Sequence, residues 1–212
     1  MLAVGPVQAN CYIVYNGDTA DGSAARGAAV IDPGGSAPLI LRALRENNLR
    51  AEMIFLTHGH FDHLLAAEAL REETGARIVM HEDDADLSAL HTGMRGVAVP
   101  DRLADVTVRG GETFSMDGLP FVWLHTPGHT PGSCVIVCGD ALYTGDTLFH
   151  GDCGRCDLPG GSYPVMQESL RRLAALAGDF AVFPGHEEAS TLEEERRFNA
   201  DMRAALAAGG RS

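Results

Sequence analysis

Five short apolar runs, each emptying into a turn that carries glycine, constrain this chain more than any other feature of its sequence. Residues 28–31 lead into Asp32-Pro33-Gly34-Gly35, 53–56 into Thr57-His58-Gly59-His60, 121–124 into His125-Thr126-Pro127-Gly128-His129, and 180–183 into Pro184-Gly185-His186; 134–138 is the fifth. Runs of four or five residues rich in Val, Ile and Phe and bounded by turn formers suit strands buried on both faces. Helical patterns lie between them. Residues 38–47 place Leu39, Ile40, Ala43 and Leu44 on one face, and 63–74 is rich in Leu and Ala with Gly75 as its stop. Residues 164–177 repeat leucine at 170, 173 and 176, while Thr191 and Glu194 have the spacing of a capping box for a last helix reaching about residue 208. The pattern predicts an α/β fold.

At 212 residues and 45% hydrophobic, the chain has material for a sizeable core, and residues 1–212 read as one domain. No low-complexity linker divides it. Residues 90–109 are weakly patterned and read as a long loop, and two halves of similar content would meet around 110–120. Every basic residue is arginine; the absence of lysine excludes a Schiff-base or phosphate-loop lysine. A net charge of −13 without a cationic cluster argues against nucleic acid or an anionic membrane as partner. No stretch approaches the ~18 to 20 apolar residues of a membrane helix. The first fifteen residues lack an early positive charge and make a poor signal peptide, and Cys11, Cys134, Cys138, Cys153 and Cys156 are too few for a disulfide framework. A cytoplasmic protein with reduced thiols is expected; nothing in the sequence indicates an oligomeric state.

The chemistry concentrates in His58-Gly59-His60-Phe61-Asp62-His63, three imidazoles and a carboxylate in six positions. These ligand types suit zinc, iron or manganese. In an extended segment, residues two apart share a face, so His58 and His60 can hold one ion. Asp62 and His63, beyond the turn at Phe61, start the next helix and can hold a second; the positive helix end favours carboxylate and disfavours imidazolium. Gly128-His129, Gly145-Asp146 and Gly185-His186 each put a glycine before another potential ligand. Five histidines and two aspartates are the count for a two-metal site.

These blocks, with Pro127-Gly128-His129-Thr130-Pro131-Gly132, Thr144-Gly145-Asp146-Thr147-Leu148-Phe149 and the Asp32-Pro33-Gly34 turn, closely resemble the metallo-β-lactamase-fold hydrolases, nearest to their glyoxalase II (hydroxyacylglutathione hydrolase) branch. The resemblance spans residues 28 to 186. It implies an αββα sandwich of two mixed sheets. It also implies a first metal on His58, His60 and His129, a second on Asp62, His63 and His186, and Asp146 bridging them, so that Asp62 and Asp146 carry catalysis. Zinc is the first expectation, with iron and manganese open to the same ligands. Two divalent ions about 3.5 to 4 Å apart share a water, lower its pKa from about 15.7 toward about 7, and supply a bridging hydroxide. A thiolate, whose acid has a pKa of about 8.5, leaves with little assistance. A small acyl thioester such as S-lactoylglutathione is therefore the expected substrate. A mononuclear-iron persulfide dioxygenase of the same fold, a lactonase or a β-lactam hydrolase are the alternatives.

Two departures from the larger glyoxalase II members concern the thiol part of the substrate: the chain ends some 26 residues after His186, with room for one helix, and Asp157 stands where those members have an aromatic. Arg155, in a loop resembling that of small relatives, is placed to meet a substrate carboxylate, or else to pair with Asp152 or Asp157. Cys153-Gly154-Arg155-Cys156 has redox spacing but no partner motif. Cys134, Cys138 and Trp123 read as core. His81, His91 and His150 read as surface or outer-sphere residues, and His125 as either a ligand-orienting or a packing residue.

Overall fold

All five apolar runs form strands. The computed structural model describes residues 1–17, 25–90 and 98–209. One sheet holds β1 (Leu2–Val4), β2 (Ala9–Tyr15), β3 (Arg26–Ile31), β4 (Leu49–Phe55), β5 (Arg77–His81) and β6 (Val106–Val108), side by side in chain order. The other holds β7 (Thr113–Met116), β8 (Leu119–His125), β9 (Cys134–Cys138), β10 (Ala141–Gly145), β11 (Ala181–Pro184) and β12 (Ser190–Thr191), again in chain order. Both are mixed: β3 through β6 pair in parallel after an antiparallel start, and β10–β11 is parallel in an otherwise antiparallel sheet. The helices are α1 (Ala37–Glu46), α2 (Phe61–Leu64), α3 (Ala67–Thr74), α4 (Leu87–Leu90), α5 (Tyr163–Ala174), α6 (Leu192–Phe198) and α7 (Ala200–Gly209).

Alternation along the strands builds three apolar layers. Inward-facing Ile31, Phe55 and Val79 of the first sheet meet Phe121, Trp123 and Ile136 of the second. The Phe55 ring stands edge-on to Phe121 at 5.3 Å and to Trp123 at 5.6 Å, the preferred arrangement of aromatic quadrupoles. Outward-facing Val30, Ile54 and Ile78 share a cluster with Ile40 and Leu44 of α1 and Leu70 of α3; Val135, Leu142 and Val182 share another with Leu170 and Leu173 of α5 and Met202 of α7. Ile40 and Leu44, four apart on α1, are both buried, and each such side chain contributes about 1.5 to 3 kcal/mol. Helix, sheet, sheet, helix is the expected sandwich, with Cys134, Cys138 and Trp123 in its centre.

Three local expectations change. The pattern over 63–74 divides into α2 and α3, because the Ala66 amide donates to Pro33 O at 2.9 Å and the Asp32-Pro33-Gly34 turn thereby fixes the break. The last helix divides at Asn199, which is extended (ψ 119°); its Nδ2 donates to Asp152 O at 2.9 Å and its Oδ1 accepts from the Met202 amide at 3.0 Å, capping α7. The Thr191–Glu194 capping box is formed. The segment 90–109 contains β6, and the sheets change over at 109–112; part of this segment, including His91, lies outside the described residues. Among the described residues no helix is long and apolar enough to cross a membrane.

Candidate metal centre

The chain leaves β4, β8, β10 and β11 at the same edge of the sandwich, and the loops after these strands carry the predicted ligands. His58 and His60 follow β4, Asp62 and His63 lie in α2, and His129, Asp146 and His186 follow β8, β10 and β11. The structure gathers all seven. Ligand atoms of His58, His60 and His129 lie within 4.8 Å of one another, as do those of Asp62, His63 and His186, and those of His58, His63 and Asp146. Asp146 lies between the two groups: its Oδ1 is 3.3 Å from His63 Nε2 and its Oδ2 is 3.4 Å from His129 Nε2.

Hydrogen bonds behind the rings decide which nitrogen faces inward. Asp32, in the Asp-Pro-Gly turn after β3, has φ 50° and is 2% exposed. Its Oδ1 accepts from the Thr57 amide at 2.8 Å and its Oδ2 from Thr57 Oγ1 at 2.7 Å. With its proton committed there, Thr57 Oγ1 is left to accept from His58 Nδ1 at 3.1 Å. Asp32 Oδ2 also accepts from His63 Nδ1 at 3.1 Å, and Arg155 O accepts from His129 Nδ1 at 2.7 Å. In each case the outer nitrogen holds the hydrogen, and the Nε2 lone pair of His58, His63 and His129 points to the centre. His60 presents Nδ1, 2.8 Å from His129 Nε2.

The electrostatics ask for cations. Burial disfavours a charged His63, but the carboxylates of Asp146, Asp32 and Asp62 outweigh it and raise its pKa to about 10. The hydrogen bond to Asp62 raises His186 against its desolvation, and Asp62, although burial opposes this, is held well below the usual carboxylate range by His186 and His63. His58 is pushed down by burial and then by the neighbouring imidazoles, so its ring stays neutral with the Nε2 lone pair free. Because the folded pKa of His63 is raised from 6.5 to about 10, its contribution to the stability of metal-stripped protein is complete below pH 6.5 and is lost as pH climbs through 10. Thermal melts of chelator-treated protein are expected to fall from pH 7 to pH 10, and those of zinc-loaded protein to change much less; parallel curves would contradict the assignment.

The donor set fits two metal ions. His58 Nε2 and Asp146 Oδ1 are buried without a hydrogen-bond partner, an arrangement that costs roughly 1 to 3 kcal/mol per group unless a cation takes the lone pair. Glycine at 185 keeps the centre open, since a Cβ there would sit 2.4 Å from Asp146 Oδ1 and 2.6 Å from His63 Cε1. A cavity of about 450 Å³ opens onto His60, Asp62, His129, Asp146 and His186; its remaining walls are Val7, Phe61, Phe149, Leu158, Arg155 and Glu187.

Arg155 lines the cavity mouth, apart from the ligand groups. Its guanidinium forks onto Asp157, with Nε to Oδ1 and Nη2 to Oδ2 both at 2.7 Å, and both side chains are exposed. The thiols of Cys153 and Cys156 are free; burial pushes Cys153 up to about 12 and also raises Cys156, the opposite of a reactive redox cysteine. Of the two readings for His81, surface or outer-sphere, the structure excludes the first: it is buried and stacks on His125 at 4.0 Å, while His125 Nε2 donates to Pro131 O at 2.8 Å. His150 is exposed and bonds Glu188. Sequence reasoning did not find the supports of the His186 loop: Asn10 Nδ2 donates to Pro184 O at 3.0 Å and Glu187 O at 2.8 Å, and Tyr12 Oη to Pro184 O at 2.7 Å.

Comparison with known proteins agrees with this geometry. The family model described as the metallo-beta-lactamase superfamily matches residues 4–186. Hydroxyacylglutathione hydrolase GloC of Haemophilus influenzae is 33% identical, over 94% of this chain and 95% of its own length. Among solved structures, the BLEG-1 B3 metallo-beta-lactamase superposes with a TM-score of 0.85 at 29% identity, covering 95% of this chain and 97% of that one. TTHA1623 in a di-iron-bound form gives 0.79 at 33% identity, covering 94% and 98%.

Proposed function

Because this chain belongs to the metallo-beta-lactamase superfamily, we propose that it is a two-metal hydrolase of small acyl thioesters, with S-lactoylglutathione or a close analogue as substrate. The observation that supports this most is the position of Asp146, with one oxygen toward His63 and the other toward His129, at the floor of the cavity. In this reading His58, His60 and His129 hold one ion, Asp62, His63 and His186 the other, and Asp146 both; zinc is the first expectation, and iron and manganese suit the same donors. When bound, two divalent ions supply an activated water and polarise the acyl carbonyl. The chain's own part is to orient that chemistry: Asp32, Thr57 and the Arg155 carbonyl lock the rings, and Val7, Phe61, Phe149 and Leu158 keep the acyl carbon in an apolar, partly dry cleft. Beyond the histidines and aspartates, the titratable walls are Arg155 and Glu187 alone among the described residues. A thiolate, with a conjugate-acid pKa of about 8.5, suits a site so sparing in proton donors. The five free thiols suit a reducing, cytoplasmic compartment.

The test is an activity panel on metal-quantified protein: lactoylglutathione, a simple lactone, nitrocefin and glutathione persulfide. Two metals per chain and anaerobic thioester cleavage that stops on chelation support the proposal. One iron per chain with oxygen consumed on the persulfide would replace it with a dioxygenase, and turnover surviving exhaustive chelation would end it.

Arg155 is proposed to receive a substrate carboxylate by exchanging it for Asp157. Solvent screens an exposed ion pair such as this one and leaves it weak, so the exchange is cheap. Arg155→Ala is expected to raise KM for carboxylated thioesters by up to about fivefold with kcat unchanged, and Asp157→Asn to lower it. An unchanged KM in both variants would remove Arg155 from substrate binding.

A further inference from the structure

We propose that Asp84 is a positioning residue for the three-histidine half of the centre, clamping the loop of His58 and His60 to the loop of His129; the inference rests on the two-metal reading above. Asp84 lies on the turn that follows β5 and is 0% exposed. Its carboxylate belongs to none of the ligand groups at the centre. Its Oδ2 accepts from the Gly59 amide at 2.8 Å and from Thr130 Oγ1 at 2.7 Å, and its Oδ1 from the Gly132 amide at 2.6 Å. Gly59 is the peptide between His58 and His60, and Thr130 follows His129 directly.

One carboxylate therefore joins two loops whose histidines lie 69 residues apart in sequence, His60 and His129, and these present their nitrogens to each other at 2.8 Å. The approach is close enough to dictate sequence: a Cβ on Gly132 would lie 2.6 Å from Asp84 Cγ. A side chain that merely filled this space would be apolar. Burying a carboxylate costs several kcal/mol, and no arginine among the described residues forms an ion pair with this one to offset it. Three neutral donors from two loops satisfy it instead, and an acceptor with two oxygens meets all three.

The test isolates each half of the centre and reads zinc affinity by competition with a chelator. In an Asp62→Ala background, which leaves the three-histidine half, adding Asp84→Asn is expected to weaken zinc binding about 10- to 100-fold, the range for groups that orient ligands. In a His129→Ala background, which leaves Asp62, His63 and His186, the same change is expected to leave affinity within about twofold. Equal affinity with and without Asp84→Asn in the first background, or equal losses in both, overturns the inference. Should the asparagine variant not fold, Thr130→Val keeps the carboxylate and removes one donor; a severalfold loss confined to the three-histidine half supports the clamp, and no loss there overturns it. A parent protein that binds no zinc would sink the two-metal reading and this inference together, whereas a parent that binds two, paired with an indifferent Asp84→Asn, sinks the inference alone.

Discussion

Asp146→Ala is expected to abolish turnover of every acyl substrate and to lower the metal content from two per chain to one or fewer. The carboxylate reaches His63 Nε2 and His129 Nε2 with different oxygens, so its loss leaves both halves of the centre short of a donor. It also removes one of the carboxylates whose field most favours a cation beside His63. Outer residues that only orient ligands are worth about 10- to 100-fold, and a group shared by both ions should exceed that. Metal analysis and kcat/KM on one preparation check the result. Full activity in the variant would contradict the bridging role; lost activity with both metals retained would assign Asp146 to the chemistry and not to the holding of ions.

Asp32→Ala is expected to have the largest effect on the fold. The residue accepts from the Thr57 amide, Thr57 Oγ1 and His63 Nδ1, all buried, and each donor stranded in the interior costs about 1 to 3 kcal/mol. Alanine is also poorly suited to the left-handed backbone at φ 50°, at about 1 kcal/mol. Taking the low end for each donor, a destabilisation of about 4 kcal/mol follows, which at ~2 to 4 °C per kcal/mol lowers Tm by about 8 to 16 °C. The variant should also bind metal more weakly on the Asp62, His63 and His186 side, because the His63 tautomer is no longer fixed. Denaturant titration of metal-stripped protein measures the first effect, and zinc competition the second. A stripped variant as stable as the parent would show that Asp32 acts on the metal alone.

What the residues alone reveal is local. A strand, its glycine turn and the histidine or aspartate after the glycine are neighbours along the chain, so the five strands and the seven gathered ligands are legible in the order of residues itself. The Thr191–Glu194 box is legible for the same reason: both halves of the motif lie within one helical turn. The break between α2 and α3 is not, because leucine and alanine continue through it and the cause is a contact with Pro33, far back in the chain. Ring orientation is hidden likewise, since the partner of His63 is 31 residues away and that of His129 is 26. Asn10 supports Pro184 from 174 residues away. Asp84 is the hardest case: Glu82-Asp83-Asp84 looks like a solvated acidic run, and only its packing separates the buried third member from its exposed neighbours. The composition cue for Arg155 is ambiguous in a way that distance resolves, with Asp157 and not Asp152 as its partner.

The two sheets are built from consecutive stretches of chain, the first ending at Val108 and the second beginning at Thr113. His58, His60, Asp62 and His63 belong to the earlier stretch, and His129, Asp146 and His186 to the later one. Under the two-metal proposal neither stretch would own a complete coordination sphere, so bound ions would act as rivets through a seam that Phe55, Phe121 and Trp123 already close, adding to the cohesion of the two lobes in the same event that makes them competent for chemistry.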